Sequence, residues 1–225
     1  MRQIDILSRT IHIRNRNNET GTAFMLDGDG FQYVITARHN LSGSDNNLEF
    51  FWNGNWQLFP AEMVGHCEGN IDISVLRTNR NFPMELYPEG KGVGTENDLK
   101  LGEEVLFYGF PFGMGTWLSD SNNSVALVKK GIVSGFEGES LTDTRGLIFV
   151  DGHNNPGFSG GPLVSIRNNN YKFAGVISGY RYSFQEVFDK NASEERGEEL
   201  VTGYTRENSG ILVAHNIQSA LDLMD

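Results

Sequence analysis

Short apolar runs recur along the whole chain and are separated by turn-forming residues. The run 71–76 alternates between apolar and polar positions, 31–36 is mostly apolar, and glycine or asparagine clusters at 27–30 and 53–55 mark turns. Alternation with a period of two is typical of half-buried β-strands. The pattern predicts strands at 3–7, 10–14, 22–26, 31–36, 48–52, 56–59, 71–76, 104–109, 125–128, 131–136, 146–150, 162–166, 171–177 and 210–214. Because no amphipathic helices lie between these runs, we expect an all-β protein with antiparallel barrels.

One helix is predicted, at the C-terminus. Apolar residues recur there at helical spacing, and Asn216 is placed to cap the first turn. The stripe consists of Ile217, Ala220, Leu221 and Met224. We expect this helix to pack on the second of two barrels.

The length of the chain fits one all-β unit made of two small barrels. It has 225 residues, and all-β proteins of this size commonly form a single unit. The segment 88–100 lacks periodicity and contains three glycines. We therefore predict a first barrel in 1–87, a linker at 88–100, and a second barrel with the terminal helix in 101–225.

The charge and composition exclude several classes of function. The net charge of −11 argues against nucleic acid as a partner, because affinity for phosphates depends on clustered lysine and arginine. No apolar run is long enough to span a membrane, so no membrane partner is expected. One cysteine excludes an internal disulfide, and charged residues near the N-terminus argue against a signal sequence. These features predict a cytoplasmic bacterial protein.

The segment 154–163 points to covalent acyl-transfer chemistry. Ser159 lies there among glycines, which permit a tight turn and bring backbone N–H groups close to a substrate carbonyl. A serine hydroxyl needs a neighbouring base to become a nucleophile. His39, at the end of a predicted strand, is the candidate base. Asp72, between isoleucines in an alternating strand, is the candidate carboxylate that orients the imidazole.

Taken alone, each of these three residues has an ordinary structural explanation. A serine among glycines is often a flexible turn, and a histidine at a strand end is often merely exposed. Their conjunction in the order His, Asp, Ser, at spacings of 33 and 87 residues, favours a catalytic triad. The other histidines lack the closely spaced ligand sets of zinc sites, so we expect no metal and no cofactor.

The chain resembles the trypsin-like (chymotrypsin-fold) serine proteases, and within them the bacterial Deg or HtrA type, without PDZ modules. The triad motifs carry the resemblance, together with the Pro-Phe-Gly turn at 111–113 and the strands at 131–134 and 210–214. It implies two antiparallel six-stranded β-barrels. It also implies a serine endopeptidase acting on polypeptide substrates.

The resemblance implies further site residues. Backbone N–H groups of Gly157 and Ser159 would form the oxyanion hole. Ser178 would pair with the substrate backbone through its carbonyl and reach Asp72 through its hydroxyl. His153 would lie near the floor of the primary specificity pocket, although an exposed loop histidine is equally consistent with its position.

Several positions depart from the family pattern. Phe158 replaces the residue that serves activation by N-terminal cleavage, so that mode of activation is not expected. Arg38 stands where a small residue is usual, and Tyr180 stands beside the substrate strand where many relatives have glycine. The segment 180–209 is much longer than in Deg-type relatives.

The acidic segment 180–209 has two interpretations. One is a solvated, mobile surface loop. The other is a regulatory lid that borders the specificity pocket and leaves it unformed until a ligand or partner arrives. Two alternatives to an independent protease also stay open: a catalytically silent trypsin-like binding module, and a protease subunit recruited by a protein activator or larger assembly.

Overall fold

The computed structural model describes residues 3–28, 30–41, 48–58, 61–78, 95–96, 98–118, 122–138, 146–188 and 201–224. Within these ranges the helices are α1 (Gln3–Arg9) and α2 (Gln218–Leu221), with 3₁₀ turns at Arg38–Leu41 and Pro111–Gly113. The strands are β1 (Thr10–Arg14), β2 (Thr20–Gly28), β3 (Phe31–Thr36), β4 (Glu49–Trp52), β5 (Asn55–Leu58), β6 (Glu62–His66), β7 (Ser74–Thr78), β8 (Glu104–Gly109), β9 (Thr116–Leu118), β10 (Asn123–Val125), β11 (Leu127–Glu137), β12 (Leu147–Asp151), β13 (Pro162–Arg167), β14 (Asn170–Phe188) and β15 (Val201–Asn216). No helix in the described ranges is long and apolar enough to cross a membrane.

The strands form two antiparallel bodies, as the sequence predicts. The second is a closed barrel of six strands in the order β11-β12-β15-β14-β13-β8. The first is a sheet in the order β5-β4-β1-β2-β3-β7-β6, which gives seven strands among the described residues rather than six. A small hairpin, β9 with β10, lies beside it.

The central strands of the first sheet are buried on both faces because they are apolar at successive positions. On β2, Ala23 and Met25 face the core of the first body. The alternate residues Phe24 and Leu26 face a second core shared with Phe173 of the barrel. Alternation of side chains across a strand therefore makes one strand serve two cores. The two bodies pack against each other through this shared core, next to the candidate site.

The first segment of the chain is a helix, so the predicted strand at 3–7 is wrong. Residues Gln3–Arg9 form α1, and Ser8 donates to the carbonyl of Asp5. The residues it buries include Ile6 and Arg9, three positions apart, which is the spacing of one helical face. The guanidinium of Arg9 binds Asp27 at 2.5 Å. A run of five residues is too short for its periodicity to separate a strand from one helical turn.

The terminal helix forms, but it packs between the two bodies rather than on the second barrel alone. The side-chain oxygen of Asn216 accepts a bond from the backbone N–H of Gln218 at 2.8 Å, as a cap. Ile217 and Ala220 are fully buried in the shared core. Cys67 of the first body donates from Sγ to the carbonyl of Ser219.

The predicted linker at 88–100 lies largely outside the described residues. Its described part contacts the second barrel: the backbone N–H of Glu96 donates to the carbonyl of Phe173 at 2.8 Å, and Leu99 is buried in the barrel core. The boundaries predicted for the two barrels and the linker stay predictions.

The segment 180–209 contains a two-stranded ribbon, which the sequence patterns did not indicate. Strand β14 continues to Phe188, and β15 begins at Val201, with cross-strand pairs from Tyr182 with Asn208 to Phe188 with Val201. The segment therefore has β-structure at 180–188 and 201–209, and most of its side chains there are exposed to solvent. Residues 189–200 lie outside the described ranges.

Candidate active site

His39 is fixed next to Asp72 by two bonds. It lies in the 3₁₀ turn that follows β3, and its ring is about half exposed. Its Nδ1 lies 2.6 Å from Oδ2 of Asp72, and its backbone N–H donates to Oδ1 at 3.0 Å. A carboxylate at Nδ1 favours the tautomer in which Nε2 carries no proton and can act as a base.

Asp72 also accepts a bond from the second barrel. Ser178 donates from its hydroxyl to Oδ2 at 2.6 Å. Burial alone would raise the pKa of Asp72, but the bonds from His39 and Ser178 outweigh burial and hold the pKa below its ordinary value. The carboxyl is therefore ionised at neutral pH, as a group that stabilises a neighbouring imidazolium must be.

His215 binds the backbone of Asp72, a role that the sequence patterns did not indicate. The backbone N–H of Asp72 donates to Nε2 of His215 at 3.1 Å, which requires a neutral ring protonated on Nδ1. Burial lowers the pKa of His215 more than the charge of Asp72 raises it, which keeps the ring neutral. On the other side, the backbone N–H of Arg38 donates to the carbonyl of Asp72.

Ser159 belongs to the second barrel, but its backbone is held by the first body. Its carbonyl accepts the backbone N–H of Thr22 at 3.0 Å and the side-chain amide of Asn40 at 2.8 Å. Asn40 directly follows His39 in the chain, so the imidazole and the serine lie in adjoining segments. The hydroxyl of Ser159 donates to the carbonyl of Ser178 at 3.0 Å.

The turn before Ser159 needs glycine at position 157. Gly157 has a φ of 102°, and an added Cβ would lie 2.3 Å from the carbonyl oxygen of Phe110. The carbonyl of Pro156 accepts the N–H of Phe112 at 2.7 Å. In a trans peptide the C=O and N–H point in opposite directions, so the N–H of Gly157 points away from Phe112. The next carbonyl, of Gly157 itself, accepts the hydroxyl of Thr22 at 2.6 Å.

The remaining predicted site residues lie around this turn. His153 is exposed, and its backbone carbonyl accepts a bond from Nζ of Lys129 at 2.7 Å. The buried side chain of this stretch is Asn154, which donates to the carbonyl of Gly179 at 2.8 Å. Tyr180 is 36% exposed at the base of the ribbon. The structure thus brings Asn154, rather than His153, into contact with the strand that holds Ser178.

The structure shows where two of the residues that depart from the family pattern lie. Phe158 is fully buried in the barrel core, with its ring 5.2 Å from that of Phe107. The side chain of Arg38 is exposed, so it does not disturb the packing beneath His39.

A comparison with protein families decides the classification. The model for the trypsin-like peptidase domain matches residues 21–171. The chain belongs to the trypsin-like peptidase family. The match includes His39, Asp72 and Ser159, so all three candidate residues lie in the part of the chain that defines this peptidase family.

Curated relatives agree with the predicted Deg-type resemblance, which is confirmed. A probable periplasmic serine endoprotease DegP-like from Pseudomonas savastanoi pv. phaseolicola is 33% identical over 157 residues, covering 68% of this chain and 28% of the relative. A protein of the same name from Chlamydia pneumoniae is 28% identical over 149 residues, covering 65% and 26%. The chain thus spans little more than a quarter of these relatives.

Solved structures confirm the predicted chymotrypsin-like fold. The HtrA-type protease AlgW with a tripeptide is similar with a TM-score of 0.63 and 21% identity, covering 98% of this chain and 60% of the other. The serine endoprotease from Yersinia pestis is similar with a TM-score of 0.62 and 18% identity, covering 98% and 63%.

The predicted cytoplasmic location is wrong by this comparison, because the curated relatives are named as periplasmic proteins. The features that led to it do not separate the two compartments. An acidic net charge and a single cysteine are compatible with either.

Proposed function

We propose that this protein is a serine endopeptidase that cleaves polypeptides through an acyl-enzyme formed on Ser159. The observation that carries the proposal is the 2.6 Å bond between Nδ1 of His39 and Oδ2 of Asp72, beside a serine held by Asn40. Membership of the trypsin-like peptidase family supports the same reaction class. The names of the curated relatives support action in the periplasm.

The proposed chemistry uses His39 as base and then as acid. Oγ of Ser159 attacks the substrate carbonyl carbon while its proton moves to Nε2 of neutral His39. Asp72 stabilises the imidazolium that results. The tetrahedral intermediate then expels the amine, which takes the proton from His39, and an acyl group is left on Ser159. Water repeats the sequence with His39 as base and releases the new carboxylic acid.

The oxyanion of the intermediate would be met by the backbone N–H groups of Gly157 and Ser159. Two contacts support this assignment. Phe112 donates to the carbonyl of Pro156, whose peptide group carries the N–H of Gly157. Gly161 donates to the carbonyl of Phe158, whose peptide group carries the N–H of Ser159. Peptide groups fixed in this way need no reorganisation when negative charge develops.

Substrate binding would also release the nucleophile. The hydroxyl of Ser159 rests on the carbonyl of Ser178. In the proposal, a backbone N–H of the substrate takes this carbonyl, and the hydroxyl turns to His39. His153 and Tyr180 would border the bound residues, so His153→Ala should change the preferred residue before the scissile bond.

Gating by the segment 180–209 belongs to the same proposal. Asn208, at the base of the ribbon, donates its side-chain amide to the backbone carbonyl of Asn154. The side-chain amide of Asn154 in turn donates to the carbonyl of Gly179. A shift of the ribbon would therefore reach the turn before Ser159. Limited proteolysis with and without a covalent serine-directed inhibitor tests this, and equal cutting of the segment in both states would count against gating.

The decisive experiment is labelling by a fluorophosphonate together with peptide-library profiling. Wild type should be labelled and should cleave, and Ser159→Ala should lose about ten-thousand-fold or more in rate. Ser134→Ala, an exposed serine on β11, is the matched control and should behave as wild type. A catalytically silent binding module would bind peptides without labelling. A pull-down with Ser159→Ala would reveal an activator or larger assembly.

A further inference from the structure

The ribbon formed by 180–188 and 201–209 carries Tyr182, Phe184 and Tyr204 on one side, which we call the aromatic face. Directly paired residues point to the same side of an antiparallel ribbon. The pairs Tyr182 with Asn208, Phe184 with Arg206, and Glu186 with Tyr204 therefore share one side. The opposite side carries the polar pairs Ser183 with Glu207 and Gln185 with Thr205, and then Val187 with Gly203.

Two of the aromatic side chains contact one another, and all three are exposed. The rings of Tyr182 and Phe184 lie 5.5 Å apart in an edge-to-face arrangement, and the guanidinium of Arg206 lies 4.7 Å from the centroid of Tyr182. Even so, Tyr182 is 50% exposed, Phe184 is 60% exposed and Tyr204 is 67% exposed. A two-stranded ribbon with an uncovered apolar side is marginal in water, so this face is suited to contact with a further chain.

The same ribbon has a free backbone edge that continues from the nucleophile. Strand β14 pairs with β13 only as far as Val176. Its carbonyl at Ser178 contacts the hydroxyl of Ser159. Beyond that point, no strand in the described part of the chain pairs with the edge of 181–188 that lies opposite β15. A peptide paired with Ser178 can therefore continue along this edge, past the register shift that β14 has between Tyr180 and Tyr182.

We propose that the ribbon binds the polypeptide substrate upstream of the scissile bond, as an added antiparallel strand whose apolar side chains contact the aromatic face. This rests on the proposed function, since it takes Ser178 as the residue opposite the one before the cut. Counting one residue against one, Tyr182 and Phe184 lie opposite roughly the fifth and seventh residues before the cut. The substrate class is then an extended segment with aromatic or large aliphatic residues at those places.

The test compares two peptides that share the cleavage sequence found by library profiling. The long peptide has eight residues before the cut, with phenylalanine at the fifth and seventh, and the short peptide has four. For the double variant Tyr182→Ser with Phe184→Ser, kcat/KM on the long peptide should fall about 10- to 100-fold, mainly through KM. Cleavage of the short peptide and the fluorophosphonate labelling rate should not change.

A matched control lies on the other side of the same strand. Ser183→Ala with Gln185→Ser should leave the discrimination between long and short peptides as in wild type. Binding of the fluorescein-labelled long peptide to Ser159→Ala, followed by polarisation, measures the same contact without catalysis, and the aromatic substitutions added to that background should weaken it.

The possible outcomes separate this inference from the proposed function. An unchanged ratio of long- to short-peptide cleavage in the aromatic variant would overturn the inference while leaving the peptidase intact. A shift from dimer to monomer in sedimentation, again with that ratio unchanged, would assign the face to a second copy of this chain. If wild type is never labelled, the proposed function fails, and the polarisation experiment still decides whether the ribbon binds the peptide.

Discussion

Thr22 is the residue whose substitution tests most directly how the first body holds the catalytic turn. It is fully buried on β2, where its hydroxyl donates to the carbonyl of Gly157 at 2.6 Å and accepts the N–H of Phe110 at 3.1 Å. Thr22→Val keeps the shape of the side chain and removes both bonds. Two backbone groups then lose their partner, and each such buried group costs about 1–3 kcal/mol. We expect a loss of about 2–6 kcal/mol in the free energy of unfolding.

The measurement is denaturant unfolding of Thr22→Val and Thr22→Ser in parallel. Serine keeps the hydroxyl and loses one methyl group, so it should cost only about 1 kcal/mol. At a temperature where both are folded, the valine variant should also react with a fluorophosphonate roughly 10-fold or more slowly. The reason is that the peptide group of the Gly157 carbonyl, which joins the two proposed oxyanion-donor peptides, is no longer fixed. Equal stability of Thr22→Val and wild type, with equal labelling, would refute this account of the turn.

Three further predictions concern pH and backbone conformation. Burial, with a smaller effect of Arg14, lowers the pKa of His12 to about 4. As pH falls from 6.5 towards 4, only the unfolded chain therefore takes up a proton at this residue, and the free energy of unfolding of wild type should drop by about 3 kcal/mol. His12→Phe should remove most of this pH dependence. The pKa of Asp72 is lower in the folded protein than its unfolded value of 3.8. Its contribution to stability is therefore present above pH 3.8 and is lost as pH falls through the lower folded pKa. Asp72→Asn should lack this loss of stability in acid, and a dependence of stability on pH identical to that of wild type would contradict the bonds described for Asp72. Gly160→Ala should prevent stable folding, because an added Cβ would lie 2.1 Å from the carbonyl of Thr22, while Gly69→Ala, also at positive φ but in open space, should cost only about 1 kcal/mol; thermal unfolding of the two variants checks this.

The sequence predicts the strands of this fold better than the contacts between them. Strands β3 and β8 were predicted with the bounds that the structure has, because their apolar patterns end at clear turns. The ribbon was not indicated, since both strands are exposed on both sides there and hydrophobic alternation reports burial. Its pairing instead follows from the barrel hairpin that it extends.

The candidate triad could be chosen from residue types and order, but its supports could not. Thr22 meets Gly157 across 135 positions, Asn40 meets Ser159 across 119, and His215 meets Asp72 across 143. Each contact exists only because the shared core brings the two bodies together. A single sequence carries no periodicity that pairs such distant residues. For Asn40 one local signal was present, since a polar residue directly after the candidate base is well placed to contact the nucleophile's segment.

These supports cross between the two bodies in both directions. Ser159 comes from the second barrel, but Thr22 and Asn40 of the first body hold its carbonyl. Asp72 comes from the first body, but Ser178 and His215 of the second barrel bind it. Neither body alone therefore fixes its own contribution to the site. Any motion that loosens the shared core should therefore remove the supports of both His39 and Ser159. Loss of reactivity should accompany separation of the two bodies and should not require unfolding of either one.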